Sequence, residues 1–210
     1  MAVSEQIPPG RAGRLWLLDR IAAARRGADI LDKKRQLLLR EQQHLAGMRE
    51  AAFGVWQDSC REAEEWGLRA GVLGGRAGVD LVASGTAARA TADVVWHNTM
   101  GVVHPETCDV QTPGLSPEEL AGSNSAMAPA AGAYSRALVA GAAYGVVDRA
   151  WRAISAEVLV TRRRLRAIER HRLPELEAAL ASLELRLEET EREERMVTRW
   201  AAQHRHGSSA

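Results

Sequence analysis

Few residues in this chain are of a type and spacing to do chemistry, and they are scattered. His97, His104 and Cys108 come closest to a metal-ligand set. Imidazole and thiolate suit zinc, but zinc sites are built from close pairs such as CxxC or HxxxH. These three form no such pair and read as ordinary loop residues, so no metal or cofactor is expected. Gly71 to Gly78, GVLGGRAG, is rich in glycine like a phosphate loop. It lacks the Gly-Lys-Ser/Thr ending that sets a lysine on the phosphates. No nucleophile is spaced to pair with a base. The expectation is a chain with no catalytic residue, and not an enzyme.

The elements that would have to position any site are long helices. The chain has 210 residues and a net charge of +1, and 46% of its residues are apolar but only 4% aromatic. Ala, Leu, Arg and Glu dominate, a composition typical of long helices. Balanced charge argues against general binding to nucleic acid or anionic lipid, which needs an excess of Lys and Arg on one face. Two cysteines, Cys60 and Cys108, fit a reducing compartment without a disulfide framework. There is no apolar run of about 18 residues and no basic-then-apolar leader. A soluble, cytoplasmic protein without direct membrane insertion is expected.

The strongest pattern lies between Leu165 and Trp200. Leu176, Leu180, Leu183 and Leu187 keep the alternating 3 and 4 spacing that returns side chains to one stripe of a helix, and Val158, Leu165 and Ile168 keep it upstream. Most other positions are Arg, Glu or Ala, so the helix exposes most of its girth and needs one partner helix. Near the start, Leu17, Ala24, Leu31, Leu38, Leu45 and Ala52 recur every seven residues, with Ile21 and Ala28 between them. Arg35, Gln42 and Arg49 occupy the other seam positions, where polar residues weaken a seam but set its register. Gly27, Gly47 and Gly54 each cost about 1 kcal/mol against Ala, and imply either tolerated weakness or close approach of another backbone. Pro174 stands where the seam slips: 158, 161, 165, 168 and 172 call for 175, yet the pattern resumes at Leu176. A kink or widened turn is expected there, without a break.

The fold class these patterns predict is all-α. It is a long antiparallel two-helix coiled coil with a small irregular, β-hairpin-bearing middle region at one end. The N-terminal helix spans 11–66, after the helix-incompatible Pro8-Pro9. The irregular region spans 67–129, with a short hairpin near 92–104 and a turn of helix at Pro117 to Ala121. The C-terminal helix spans 130–204, and its first third carries Gly and Ala that allow close approach. Charge sets the direction. Arg20 to Arg26 would meet Arg162 to Arg172 in a parallel pair but Glu188 to Glu194 in an antiparallel one. Matching the seams then places Leu17 near Val197, Leu31 near Leu183, Leu38 near Leu176 and Leu45 near Ile168.

With those helices in place, three segments resemble the D subunit of the V-type and archaeal A-type ATPases. Pro9-Gly10-Arg11, Leu15, Leu18, Arg26-Gly27, Ile30-Leu31 and Lys33-Lys34-Arg35 are similar to that family's opening, and Lys33 and Lys34 are the chain's only lysines. Asn98-Thr99-Met100-Gly101-Val102, followed by Pro105, is similar to its hairpin. Thr161 to Glu194 resembles its Arg-Arg-Val-Asn-Ala-Leu-Glu, its Ile-Pro-x-Leu-Glu and its closing Leu-Glu-Glu-x-Glu-Arg-Glu-Glu. Gly10 stands for the family's Thr, Asp32 for its first Lys, and Leu173 for its usual Ile.

The resemblance implies a central rotor shaft that couples ATP hydrolysis or synthesis in a catalytic head to ion translocation. Implied partners are the catalytic and non-catalytic head subunits, a small central-stalk subunit and a membrane-ring adaptor, with no nucleic acid. Such a shaft is cytoplasmic and peripheral to the membrane. Arg11, Lys33, Lys34 and Arg35 become candidates for subunit contacts. A homo-oligomeric coiled-coil scaffold with no rotary role is the alternative class, and it offers no reason for the lysine-bearing motif.

Overall fold

The structure is a computed structural model that describes residues 7–85, 89–114, 116 and 123–207. It is mostly helical, with one small antiparallel sheet. The elements are α1 (Gly10–Gly85), β1 (Thr91–Thr99), β2 (Val102–Gln111), α2 (Met127–Ala167), a π-helical turn (Ile168–Arg172) and α3 (Leu173–Gly207). Two compact units share them. Residues 7–35 and 160–207 form the first, and 36–159 the second. The turn of helix expected at Pro117 to Ala121 lies outside the described residues.

In the first unit α1 and α3 run antiparallel. Leu17, Ile21, Leu176 and Leu183 form a buried cluster, with Trp16, Ala24, Leu173, Leu180 and Leu187 packed on it. Arg11, Arg14 and Arg25 reach Glu191, Glu184 and Glu177 at 3.1, 2.8 and 2.8 Å. The order of these pairs gives the direction, but the stagger departs from expectation. Leu17 meets Leu183 where Val197 was expected, and Val197 is exposed. The shift is about 14 residues, or two heptads. Apolar matching is blind to a slip by whole heptads, because each seam position finds an equivalent one, so the leucines alone do not select the register.

The expected disturbance near Pro174 takes the form of the π-helical turn. The Leu173 N–H bonds to the Ile168 carbonyl, five residues back. A π turn holds one residue more than an α turn. The inward-facing positions accordingly run 165, 168, 173 and 176, while Arg172 is exposed. The slip therefore lies between Ile168 and Leu173, just before the proline.

In the second unit α1 and α2 pair antiparallel. Leu38, Leu45, Ala150, Ile154 and Val158 form one buried cluster. Leu45 thus packs beside Ile154 in place of Ile168, and Leu38 beside the same group in place of Leu176. Further along, Ala63 packs with Ala133 and Ala137, and Ala70 with Ala126, Met127 and Ala130. Small side chains let these backbones approach closely, and that packing carries α1 well past residue 66, where it was expected to stop. Its break comes at Gly75, whose φ of 65° and ψ of 165° are not helical. A Cβ at Gly141 would stand 2.9 Å from the Trp56 indole nitrogen, so that glycine is a notch for the ring. Gly27, Gly47 and Gly54 meet nothing within 4 Å, which makes them tolerated weak points.

The hairpin is longer than expected, because β2 continues to Gln111, paired with Thr91. Met100 and Gly101 form its two-residue turn with φ of 54° and 87°, the positive pair of a type I′ turn. Asn98 Oδ1 accepts the Gly101 N–H at 2.9 Å. A bulge at Glu106 follows Pro105, which has no N–H to give the ladder. Val102 packs against the Leu38 cluster and so seats the hairpin on the helices of this unit.

Candidate partner-binding surfaces

The side chains first considered for metal chemistry are taken up inside the hairpin. His104 is buried, with Nδ1 3.1 Å from the Pro105 carbonyl and Nε2 3.0 Å from Thr99 Oγ1. A carbonyl can only accept, so Nδ1 carries a proton, and in the neutral ring Nε2 accepts from the Thr99 hydroxyl. His97 lies across the ladder, its ring centroid 5.8 Å away and its Nδ1 3.9 Å from Glu106. Cys108 pairs with Val94. Among the described residues no cluster of His, Cys, Asp and Glu is placed to hold a metal.

The candidate contact residues divide by their surroundings, and all four belong to the first unit. Arg11 is highly exposed at the start of α1 and touches Glu191. Lys33 is exposed and Lys34 half-buried. Arg35 donates from Nε and Nη2 to Asp32 Oδ1 at 3.0 and 2.6 Å. Asp32, one of the departures from the family pattern, is thus what restrains Arg35. Of the seam residues Leu17, Leu38, Leu45, Leu176 and Leu183 are buried, while Leu31, Ile168 and Leu187 are half-buried.

Several apolar side chains remain exposed. Toward the end of α3, residues 192–200 are exposed throughout, Met196 and Val197 among them. In the second unit a groove is lined by Trp66, Leu68, Val72, Leu73 and Ala126. On the hairpin Val94, Val95, Trp96 and Val103 face outward. Contiguous apolar patches of more than a few hundred Å² mark sites of contact with protein, membrane or ligand.

Sequence reasoning missed the polar joint of the second unit. Asp148 is buried and accepts from Arg49 Nε at 2.6 Å and Arg152 Nε at 2.7 Å. Arg49 also stacks on Trp151, 5.0 Å from the ring centroid, and reaches the Tyr144 hydroxyl at 3.4 Å. The Asp148 hydrogen bond raises the Arg49 pKa above its ordinary value, with partial burial opposing it and Tyr144 adding to it. One layer away, Gln42 Nε2 donates to Ser155 Oγ at 2.7 Å. A signal was present in the sequence, since Asp148 is the only acid between Ala130 and Trp151. Asn124 was missed too. Its side chain accepts the Ala126 N–H at the start of α2 and donates to the Ala70 carbonyl.

A family model for the D subunit of ATP synthase matches residues 15–203. The chain belongs to the ATP synthase D-subunit family. It is 30% identical over 196 residues to the A-type ATP synthase D subunit of Methanopyrus kandleri, covering 91% of this chain and 83% of that one. With the V-type ATP synthase D subunit of Thermotoga neapolitana it shares 26% over 195 residues, 90% of this chain and 93% of the other. The A-type D subunit of Halobacterium salinarum is likewise 26% identical, over 91% and 87%. A D subunit works among the other members of its ATPase assembly, and among the described residues no helix is long and apolar enough to cross a membrane.

Proposed function

We propose that this chain is the central rotor shaft of a V/A-type rotary ATPase, a non-catalytic subunit that carries torque between ATP chemistry in a head and ion translocation in the membrane. The reading rests on one observation above all. A chain matching the D-subunit family over residues 15–203 pairs its helices antiparallel along leucine seams in both of its units. Wound as a coiled coil, two such helices resist twist and bending better than one. A shaft also presents different side chains to each of several equivalent catalytic sites, which is the differential interaction that coupling requires.

Catalytic and non-catalytic head subunits would enclose the exposed end of α3, with Met196 and Val197 as apolar contacts and Arg11 and Lys33 as polar ones. The groove at Leu68 and the outward face of the hairpin offer surfaces to the small central-stalk subunit and the membrane-ring adaptor. The assembly is cytoplasmic and peripheral to the membrane.

Affinity purification of the tagged chain from its native host tests this. Recovery with a large P-loop ATPase subunit is expected. Recovery as a homo-oligomer alone would overturn the shaft in favour of a coiled-coil scaffold.

A further inference from the structure

The first unit carries two populations of arginine. Arg11, Arg14 and Arg25 each reach a glutamate of α3. Arg162, Arg163, Arg164, Arg166, Arg170 and Arg172 are all exposed, and none has an ion pair with a carboxylate among the described residues. Only Glu169 is acidic between the first and last of these six. Continuing the stagger set by Arg25 and Glu177 brings Lys33 of α1 alongside Glu169 in the same stretch, with Asp29 and Arg26 beyond its end near Leu173 and Leu176, and all three are exposed. Asp32, which could have neutralised part of it, is engaged by Arg35. Like charges at i, i+4, as in Arg162 with Arg166 and Arg166 with Arg170, repel along the helix. The fold thus keeps a concentrated positive belt beside the π-helical turn, with little internal relief.

Its distribution around the helix selects the partner. At about 100° per residue, Arg162, Arg166, Arg163 and Arg164 fan over about 200° of the circumference. They cover the arc left open by the inward stripe of Thr161, Leu165 and Ile168. A membrane or a nucleic-acid duplex touches one side of a helix, so such binders carry their cations as a stripe. A belt facing outward in all open directions fits a surface that surrounds it. The acidic run Glu188 to Glu194 in the same unit also repels any long polyanion lying along the helices.

We infer that this arginine belt is a docking surface for a carboxylate-lined protein collar, the inner wall of the subunits that enclose the shaft. The inference rests on the shaft reading and adds to it the place and the chemistry of the contact. Carboxylates approaching the belt relieve the repulsion among the arginines. Guanidinium groups also pair with them in planar, two-point fashion. The contact is therefore orientation-dependent and sensitive to salt.

The test uses the whole complex. Arg163→Lys, Arg166→Lys and Arg170→Lys together keep the charge and add primary amines, which a carbodiimide couples directly to touching carboxylates. Mass spectrometry of the coupled complex should find these positions joined to Asp or Glu of another protein chain. Coupling confined to this chain's own carboxylates, in a complex that still contains the ATPase head, would sink the belt proposal alone. Absence of the head from the purified material would sink the shaft reading first. In parallel, Arg163→Glu, Arg166→Glu and Arg170→Glu should weaken assembly about tenfold and flatten its salt dependence, with helical content by circular dichroism unchanged. Assembly unaffected by the reversal overturns the proposal. So does belt-dependent binding of the purified chain to phosphatidylserine-containing vesicles or to a DNA duplex, which would reassign the surface.

Discussion

Arg49 Nε donates to Asp148 Oδ1 at 2.6 Å, joining α1 to α2 where the leucine seam of the second unit turns polar. The guanidinium lies over Trp151, and Asp148 accepts Arg152 with its other oxygen. A slip of one heptad would set Arg49 against Ser155 or Gly141, and neither offers a carboxylate. The joint thus selects one register from a series that apolar packing leaves nearly equal.

Asp148→Leu should lower the melting temperature, because it strands Arg49 between two rings. Arg49→Leu with Asp148→Leu should recover much of the loss while loosening the register. Disulfide trapping reports the register. Cysteines at Gln42 and Ser155 should couple efficiently in the parent, whereas in the double variant coupling should spread to sites one heptad away. Because the Arg49 pKa is raised, its share of stability is complete below the ordinary arginine value and fades only as pH rises through the higher one. Arg49 therefore contributes no pH dependence near neutrality.

Leu17→Ala and Leu183→Ala should each cost about 2–5 kcal/mol, since both are buried in one cluster, and Leu31→Ala less, being half-buried. The two should combine non-additively because they share neighbours. Chemical denaturation of the single and double variants measures this. In vesicles reconstituted with the whole ATPase, the double variant should retain ATP turnover and lose ion transport per ATP. Unchanged transport per ATP would argue that this chain carries no torque.

The π-helical turn holds one residue beyond what the 3 and 4 repeat requires. Deleting Arg170 in a Pro174→Ala chain should close the 168 to 173 step into an ordinary α turn and keep or raise the melting temperature. Deleting Ala178 instead should misalign Leu180, Leu183 and Leu187 and lower it. Equal effects of the two deletions would show that the turn does not accommodate the seam slip.

At the hairpin tip Met100 holds a positive φ without being glycine. Met100→Asn should stabilise the turn, since Asn-Gly is the favoured type I′ pair. Gly101→Ala should cost about 1–2 kcal/mol in the left-handed region. Amide exchange at Thr99 and Val102, the hydrogen-bonded pair that closes the turn, should slow in the first variant and quicken in the second.

Much of the architecture was legible in the sequence because it is local. Heptad leucines, two prolines before Gly10, a hairpin near 92–104 and a seam slip near Pro174 all act within a few residues; the structure has buried seam leucines, strands Thr91–Thr99 and Val102–Gln111, and a π-helical turn at Ile168–Arg172. The antiparallel direction was legible from charge, although the glutamates that Arg11, Arg14 and Arg25 meet lie at other positions than supposed. What only the tertiary structure decided was which heptad meets which. Periodic seams are degenerate to shifts by seven residues, and the degeneracy is lifted by contacts between residues far apart in sequence. Arg49 finds Asp148, Trp56 fits over Gly141, and alanines from α1 and α2 pack face to face. The run of α1 past residue 66 has the same origin, because Ala70 packs against Ala126, Met127 and Ala130, and Val79 and Val82 join that cluster beyond the kink at Gly75. The arginine belt is a further consequence of that register, which matches Arg25 with Glu177 and leaves the arginines from Arg162 to Arg172 without an ion pair to a carboxylate among the described residues.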